Sequence, residues 1–258
     1  MGIGKAFAEQ LAEQGYDLLL VARNKEALQK TQEEITKKYG VKVLTLSQDL
    51  TGDKAVSMIM DFIKDQDIHV SLLVNNAGFM DFHEFKDSDM KSDIGMIELM
   101  CRDMVELTYA LLPAMIEKGE GGIIINSSAL ARLHIPYYGV YSACKSFQES
   151  FGIILNFELE SKNIDVLTVC PAYITTNFWN DSKAKKSITK GSESLIGFQP
   201  HSPEEVAQKS IKALGRKILI QGGNMRDRLF FYTTYFMPLK LERRFMQWYL
   251  RRLYNLEY

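Results

Sequence analysis

Short, dense apolar segments alternate with longer segments of helical periodicity along this chain. In residues 5–14 the apolar positions fall on one helical face and a glycine follows, which predicts a helix and its end. Residues 17–22 form a short apolar segment, typical of a strand buried in a parallel sheet. The remaining predicted helices are 24–38, 52–64, 88–118, 138–161 and one that starts at Ser202-Pro203, and the remaining predicted strands are 41–46, 71–75, 123–125, 164–169 and 216–220.

Helices and strands that alternate at this spacing predict βαβ units. We therefore expect an α/β protein with a Rossmann-type, doubly wound parallel sheet in three layers. We assign residues 1–222 to this domain and residues 223–258 to a helical C-terminal extension. Aromatic and basic residues interleave in the extension, as they do in helices at a membrane interface or against a helical partner. A tail folded over the substrate cleft or into a dimer contact is an equal alternative.

The composition is that of an ordinary globular protein, with 46% hydrophobic and 24% charged residues. A net charge of −1 provides no long-range field to attract nucleic acid. The three cysteines have neither disulfide nor ligand spacing, so we expect a reducing compartment, the cytoplasm, with membrane association through the extension as an alternative. The four histidines are scattered, as loop or surface residues are, and predict no metal site. No apolar segment reaches the roughly 18–20 residues that span a bilayer.

Polar motifs follow several of the predicted strands, at the edge where open α/β sheets bind ligands. Asn-Asn-Ala-Gly occupies Asn75–Gly78, and Asn-Ser-Ser ends at Ser128. Tyr141 follows Ser128 by 13 positions and opens a Tyr-x-x-x-Lys that ends at Lys145. A Pro-Ala-x-x-x-Thr motif covers Pro171–Thr176. Tyr-x-x-x-Lys alone would be weak, but the combination of these motifs in this order is specific.

With the Gly-Ile-Gly at the start of the chain, this order of motifs resembles the short-chain dehydrogenase/reductase family over Gly2 to about Ile220. The resemblance implies that Tyr141 is the general acid/base, that Ser128 steadies the substrate oxygen, and that Lys145 holds the nicotinamide ribose. Ser127 is a second candidate for the serine. A lysine four residues from a tyrosine shares its helical face and is expected to lower the tyrosine pKa towards the working pH.

The same resemblance implies a nicotinamide dinucleotide cofactor. Arg23 follows the strand 17–22 at a position where an arginine suits a 2′-phosphate, so NADP(H) is favoured over NAD(H), the alternative being a solvated arginine. The implied cofactor-binding residues are Gly2, Ile3, Gly4, Arg23, Asp49, Asn75, Ala77, Gly78, Tyr141, Lys145, Pro171, Ile174 and Thr176.

The chain departs from the family pattern at its start and in one long helix. The first strand and the Thr-Gly-x-x-x part of the glycine turn are missing, and we expect the natural protein to begin about 10–15 residues earlier. Met100 stands where the family carries an active-site Asn, and no Asn occurs between Ala77 and Ile125. Because Met neither donates nor usefully accepts a hydrogen bond, we expect a slow enzyme, an unusual proton path or a pseudoenzyme.

We therefore expect an NADP(H)-dependent oxidoreductase that transfers hydride between nicotinamide and a carbonyl or alcohol. The apolar extension favours a lipid-like small-molecule substrate, such as a 3-oxoacyl chain or a steroid, and Phe178 and Trp179 are candidates for an apolar wall or for simple packing. The alternative is a non-catalytic NADP(H)-binding or membrane-scaffold protein of the same fold. The family also implies a homo-oligomer, because its long fourth and fifth helices often pair between subunits.

Overall fold

The structure is a computed structural model, and it describes residues 2–172, 174, 201–222, 225–234 and 236–254. Its helices are α1 Ile3–Glu13, α2 Lys25–Tyr39, α3 Ala55–Asp65, α4 Met90–Ile97, α5 Asp103–Lys118, α6 Gly139–Leu159, α7 Pro203–Ala213, α8 Met225–Thr234 and α9 Leu239–Tyr254. Its strands are β1 Leu18–Ala22, β2 Val43–Ser47, β3 Leu72–Asn75, β4 Gly121–Asn126, β5 Ile164–Cys170 and β6 Leu219–Gln221. The predicted order of elements is confirmed, with ends displaced by a few residues.

Local signals in the sequence explain several helix ends. The Asn24 side chain accepts a hydrogen bond from the Ala27 backbone N–H over 2.9 Å and begins α2. Gly40 ends α2 with a φ of +74°, a left-handed conformation that only glycine adopts without strain. Ser202 begins α7 in the same way as Asn24, because its hydroxyl accepts from the Glu205 N–H over 3.1 Å.

All described strand pairs are parallel and form two groups. β1 pairs with β2, and the other four strands follow the order β3-β4-β5-β6. Within the described residues β1 and β3 are not paired with each other, and both line a single cavity of about 920 Å³. The break between them lies where the expected first strand of a Rossmann sheet would stand.

The side chains of β4 alternate between two helical layers. Ile123 and Ile125 pack with residues of α3, α5 and α6, whereas Ile124 packs with residues of α1 and α7. All three isoleucines are fully buried. A parallel strand covered on both faces is expected to be apolar throughout, so the predicted three-layer α/β architecture is confirmed.

The long helical segment predicted over 88–118 contains a widened turn. α4 and α5 are joined by a π-helical segment, Glu98–Arg102, in which backbone hydrogen bonds reach five residues instead of four. Met100 lies inside this segment and is fully buried. Periodicity alone does not reveal such a bulge, because it inserts a single residue into an otherwise continuous helix.

The C-terminal extension packs on the rest of the fold through α9. Met246 and Leu250, one turn apart, are buried in the same apolar cluster as Tyr141. The buried carboxylate of Glu242 accepts from the His134 backbone N–H over 3.1 Å and lies 3.0 Å from His134 Nδ1. Among the alternatives for the tail, the structure thus places α9 against the part of the domain that contains Tyr141. None of the helices in the described ranges is both long and apolar enough to cross a bilayer.

Candidate active site

Tyr141 and Lys145 lie one turn apart on α6, and both side chains are buried. The Lys145 Nζ is 5.7 Å from the centre of the Tyr141 ring. At the end of β4 the backbone oxygen of Asn126 accepts a hydrogen bond from Lys145 Nζ over 2.7 Å. Because positions four apart share a helical face, α6 presents the phenol and the ammonium together to the carboxyl end of β4.

The two candidate serines have different partners. Ser128 starts a short 3₁₀ turn, Ala129–Ala131, and its hydroxyl accepts from the Leu130 N–H over 3.1 Å. The Ser128 side chain is also hydrogen-bonded to Tyr141. Ser127, in contrast, donates its hydroxyl proton to the backbone oxygen of Lys145 over 2.7 Å. The structure therefore joins Ser128, and not Ser127, to the tyrosine.

Burial shifts the pKa values of Lys145 and Tyr141 in opposite directions, and both shifts favour the neutral form. Removal from water lowers the pKa of Lys145 to about 8. Burial also raises the pKa of Tyr141 above its ordinary value, although the hydrogen bond with Ser128 opposes this rise. The expectation that Lys145 pulls the pKa of Tyr141 down is wrong for this structure, because the desolvation of the phenolate outweighs the favourable contacts.

The start of α1 approaches the end of β3 closely enough to need a glycine. A Cβ at Gly4 would lie 2.7 Å from Asn76 Nδ2. The Asn76 Oδ1 accepts in turn from Asn126 Nδ2 over 2.9 Å. Within the described residues the buried Asn126 Oδ1 has no hydrogen-bond partner. A bare backbone at a helix N-terminus fits a pyrophosphate, and the unpaired amide oxygen of Asn126 fits a ribose hydroxyl that donates to it.

Asn75 and Arg23 stand at two other strand ends of the same cavity. Asn75 donates to the Thr108 hydroxyl over 3.1 Å and so ties β3 to α5. Arg23 directly follows β1, and its backbone oxygen accepts from the Ser47 hydroxyl over 3.0 Å. Arg23 also lines the cavity, and a guanidinium is a side chain suited to binding a phosphate.

Asp49 follows β2, and its carboxylate is engaged locally. Its Oδ1 accepts from the Thr51 backbone N–H over 3.1 Å and from the Thr51 hydroxyl over 2.9 Å. These hydrogen bonds, with a smaller contribution from Arg23, lower the pKa of Asp49 below its ordinary value. Asp49 therefore stays charged and oriented at the rim of the cavity.

The structure brings nearly all the predicted site residues into one place. The cavity between β1, β3 and α6 has a volume of about 920 Å³. Thr176, Phe178 and Trp179 lie outside the described residues. The predicted residues that line the cavity are Gly2, Ile3, Gly4, Arg23, Asp49, Asn75, Ala77, Gly78, Ser128, Tyr141, Lys145, Pro171 and Ile174.

Sequence reasoning missed Gln148 as a partner of Lys145. Gln148 is 2% exposed, and its Oε1 accepts from Lys145 Nζ over 2.9 Å. Its Nε2 donates to the backbone oxygen of Met100 over 3.0 Å. The sequence signal for this contact was the spacing. Gln148 follows Lys145 by three residues and so lies on the same helical face, which is expected to be buried.

Tyr141 is itself a member of a buried apolar cluster. We call it the substrate-side cluster. α9 contributes its buried face to this cluster. Its buried members are Met80, Phe82, Met96, Met100, Ala129, Leu130, Leu133, Ile135, Tyr138, Tyr141, Cys144, Met246 and Leu250.

The histidines are more engaged than the sequence suggested. The His83 side chain is 18% exposed, and its Nε2 lies 3.4 Å from the buried Asp93 carboxylate. The His201 side chain is 13% exposed and pairs with Glu205 over 3.0 Å. Both are therefore mostly covered, although we expected loop or surface positions. In the parts of the chain that the structure describes, no group of three or more His, Cys, Asp or Glu side chains could hold a metal ion.

The family model described as short chain dehydrogenase matches residues 1–187 of this chain. This match covers well over half of the sequence. The chain belongs to the short-chain dehydrogenase/reductase family. The motifs at the strand ends, the parallel sheet and the side-chain geometry around Tyr141 are those of a member, and the sequence-based resemblance is confirmed.

Two curated relatives and one solved structure illustrate the similarity. The chain is 30% identical to the very-long-chain 3-oxoacyl-CoA reductase of Bos taurus over 213 residues, which covers 77% of this chain and 66% of the relative. It is 33% identical to the 17-beta-hydroxysteroid dehydrogenase type 3 of Danio rerio over 180 residues, which covers 68% of this chain and 58% of the relative. It superposes on the short-chain dehydrogenase of Sphingobium yanoikuyae in complex with NADPH with a TM-score of 0.75, at 25% identity, covering 86% of this chain and 82% of the other.

The chain thus spans less than two thirds of the length of these two curated family members. For the matched part of the chain, these similarities establish the family and a fold that binds a nicotinamide cofactor.

Proposed function

We propose that this member of the family is an NADP(H)-dependent oxidoreductase that moves hydride between the nicotinamide and the carbonyl or alcohol carbon of an apolar, lipid-like substrate. The observation that carries the proposal is the hydrogen-bonded pair Ser128 and Tyr141 at the wall of the cavity, with Lys145 one turn further along α6. This is the arrangement that a proton transfer to a carbonyl oxygen requires, because a donor and an acid converge on one point.

The cofactor, when bound, supplies or accepts the hydride. The residues of this chain handle the substrate oxygen and its proton. Tyr141 transfers its phenolic proton to the oxygen as negative charge develops there, and Ser128 donates a hydrogen bond to the same atom. Lys145, held at Asn126 and close to the phenol, holds the ribose and stabilises the phenolate that remains.

Arg23 supports NADP(H) as the cofactor. It lines the cavity directly after β1, where the adenosine ribose of a Rossmann-bound dinucleotide ends. A guanidinium binds a 2′-phosphate through charge-assisted hydrogen bonds, whereas a free 2′-hydroxyl gains little from it. The similar Sphingobium yanoikuyae structure contains NADPH, which agrees with this assignment.

The substrate-side cluster supports an apolar substrate. Met80, Leu130 and Leu133 line the cavity near Tyr141 and offer no hydrogen-bonding side chain. The curated relatives are named as reductases of very-long-chain 3-oxoacyl-CoA and as a 17-beta-hydroxysteroid dehydrogenase. We therefore place the substrate among long-chain 3-oxoacyl compounds and steroid ketones.

The test is NADPH oxidation by the purified chain with a long 3-oxoacyl thioester, a steroid ketone and a small water-soluble ketone. We expect turnover with one of the apolar ketones and little with the small one. Tyr141→Phe should reduce kcat by about 10²–10⁴-fold, the usual contribution of a general acid, while NADPH still binds. Tyr137→Phe is the matched control, because its hydroxyl lies against Glu84 at 3.4 Å and does not line the cavity. NADPH binding without turnover of any ketone would contradict the proposal.

A second candidate function is a non-catalytic NADP(H)-binding scaffold. Met100 favours it, since this apolar side chain is fully buried at the position where the family carries its active-site Asn. In a cell that lacks the protein, a Tyr141→Phe copy should restore a scaffold function fully and an enzymatic function hardly at all. The outcome of this complementation decides between the two candidates.

The outer face of α9 supports peripheral membrane contact as a further part of the proposal. Trp248 and Leu241 are 54% and 55% exposed, and Arg244 and Arg251 lie on the exposed side of the same helix. Apolar side chains flanked by arginines suit an anionic membrane surface. Co-sedimentation with anionic vesicles, weakened by Leu241→Glu and by salt, is the expected result, and equal recovery with neutral vesicles would speak against the role of charge. We therefore propose a cytoplasmic protein that binds to a membrane surface through α9.

Exposed apolar residues on α5 and α6 support a homo-oligomer. Phe157 and Ile154 on α6 are 62% and 49% exposed, and Tyr109 on α5 is 79% exposed. Such side chains on two long neighbouring helices suit a self-complementary interface. Light scattering should give the mass of a dimer or larger assembly, and Phe157→Glu should convert it to monomer.

A further inference from the structure

Gln148 is a buried amide whose two ends are both used. It lies on α6 and is 2% exposed. Its Oε1 accepts from Lys145 Nζ over 2.9 Å, and its Nε2 donates to the backbone oxygen of Met100 over 3.0 Å. An ammonium group has only donors and a carbonyl oxygen only accepts, so the amide is oriented by chemistry in this one direction.

The second partner of Gln148, the backbone oxygen of Met100, belongs to the π-helical segment Glu98–Arg102. Backbone pairing in such a segment is shifted by one residue, and here the Met100 oxygen accepts from a side chain. The Met100 side chain itself is apolar and closely packed, because a Cβ at Gly78 would lie 3.1 Å from its sulfur and 3.8 Å from Lys145 Nζ. Met100 therefore stands close to the lysine but offers it no polar side-chain atom.

Gln148 and Asn126 together hold two of the three ammonium protons of Lys145. The backbone oxygen of Asn126 accepts at 2.7 Å from one side and Gln148 accepts at 2.9 Å from another. The third proton remains for the cavity, which Lys145 lines beside Tyr141. Two fixed acceptors set the direction of that third proton and stabilise the charged lysine.

We infer that Gln148 is a positioning residue that connects Lys145 to the π-helical segment, where Met100 stands at the position of the family's active-site Asn. This inference rests on the proposed function of Tyr141 and Lys145. The expected consequence is that Gln148 sets the pH range over which Lys145 stays protonated next to Tyr141. Loss of its acceptor oxygen lowers the pKa of Lys145 further, and a carboxylate in its place raises it.

The other groups around Lys145 are the same in every variant of this test. On α6 they are Tyr141 and Cys144. Cys170 faces it from β5 and Cys101 from the π-helical segment. Slightly further away are Asp93, which faces Cys144, and Glu149, which is paired with Arg132. A difference between variants at position 148 is therefore not caused by a change in the identity of these groups.

The test is the pH dependence of kcat for Gln148→Leu and Gln148→Glu. In wild type kcat should fall as pH rises through the pKa of Lys145. Gln148→Leu should move this fall about half to one unit lower in pH and leave the KM for ketone within about threefold, as expected for one lost hydrogen bond. Gln148→Glu should move the fall in kcat to higher pH. Gln32→Leu on α2 is the matched control, because it also removes an amide bonded to a backbone oxygen, here that of Val43, and should leave the profile unchanged.

A rescue variant separates positioning from packing. In the Gln148→Leu background, Met100→Asn restores an amide within reach of Lys145 and should recover part of the lost kcat. A purely structural role for Gln148 would lower the melting temperature in both substitutions and move neither pH profile. Profiles that move in the same direction for Leu and Glu would overturn the inference.

A second readout does not depend on turnover. Acetic anhydride modifies neutral lysine, so the extent of Lys145 acetylation against pH, followed by mass spectrometry, reports its pKa directly. Lys145 in Gln148→Leu should react at lower pH than in wild type. If wild type reduces no ketone, but Lys145 in Gln148→Leu is labelled at lower pH than in wild type, the proposed function fails and the role of Gln148 stands. If wild type is active and neither the profile nor the labelling moves, the role of Gln148 fails.

Discussion

The Ser127 hydroxyl donates to the backbone oxygen of Lys145 over 2.7 Å, and so the first serine after β4 is hydrogen-bonded to α6. Its neighbour Ser128 is bonded to Tyr141 instead. We therefore propose separate tasks for the two adjacent serines: Ser127 holds α6 against β4, and Ser128 binds the substrate oxygen.

Alanine substitutions should separate these tasks. Ser128→Ala should lower kcat by about 10²-fold or more, because it removes a donor to the substrate oxygen. Ser127→Ala should lower the free energy of unfolding by about 1 kcal/mol, because it removes a buried hydrogen bond, and should change kcat much less. Steady-state kinetics and urea unfolding of both variants provide the comparison, and equal kinetic losses would mean that the assignment of the two serines is wrong.

The buried Lys145 predicts a particular dependence of stability on pH. Its pKa of about 8 in the folded protein is below the ordinary value of 10.5. Between these values the unfolded state binds more protons, so this residue makes unfolding less favourable as pH rises from about 8 to 10.5 and contributes no slope below 8.

Lys145→Met isolates that contribution. The shift corresponds to a free energy on the order of 3 kcal/mol. Near neutral pH the unfolding free energy of Lys145→Met should exceed that of wild type by the largest margin. This margin should shrink by about the same 3 kcal/mol as pH rises towards 10.5. Urea titrations at several pH values measure it. A difference that stays constant with pH would show that Lys145 has its ordinary pKa in the folded protein.

Gly4 is predicted to be necessary for the contact between α1 and β3. Gly4→Ala would push Asn76 away and cost its hydrogen bond with Asn126, about 1–2 kcal/mol of stability. Gly139→Ala is the control, because no atom lies within 4 Å of the added Cβ. Thermal melts of both variants, together with the double variant Gly4→Ala/Asn76→Ala, measure the coupling. Fully additive losses would mean that Gly4 and Asn76 do not depend on each other.

Arg23 is predicted to select the cofactor. Arg23→Ala should weaken NADPH binding by about 10–100-fold, the loss of a charge-assisted hydrogen bond, and leave NADH binding nearly unchanged. Nucleotide fluorescence titrations measure both affinities. Lys25→Ala, a charge change two residues further along the surface that does not line the cavity, serves as the control. Parallel losses for both nucleotides would show that Arg23 does not contact the 2′-phosphate.

A buried ion pair holds the loop after Ser128 against α6. Arg132 Nε lies 2.6 Å from a Glu149 oxygen, and the two side chains are 9% and 8% exposed. The Cys170 thiol donates to the other Glu149 oxygen over 3.2 Å. Arg132→Met should destabilise the fold by about 3–5 kcal/mol, because it leaves the carboxylate buried without its counter-charge. Arg132→Met/Glu149→Leu should regain most of this loss in urea unfolding, and a double variant as unstable as the single one would refute the explanation.

Local order was readable from the residues because its causes are local. The N-cap Asn24 and the left-handed Gly40 end α2 through contacts within the same helix. Tyr141 and Lys145 share a face because they are four residues apart, and the motif spacing was enough to identify the family and the parallel sheet.

Burial and distant partners were decided only by the tertiary structure. Gln148 meets Met100 across 48 positions and Glu242 meets His134 across 108, and neither distance leaves a periodic signal in the chain. The direction of the Tyr141 pKa also needed the packed state, because the cost of removing a phenolate from water depends on everything that surrounds it. Spacing along the chain therefore determines which side chains share a face of one helix or strand. Packing between elements determines which of these side chains are charged and which hydrogen-bond partners they have.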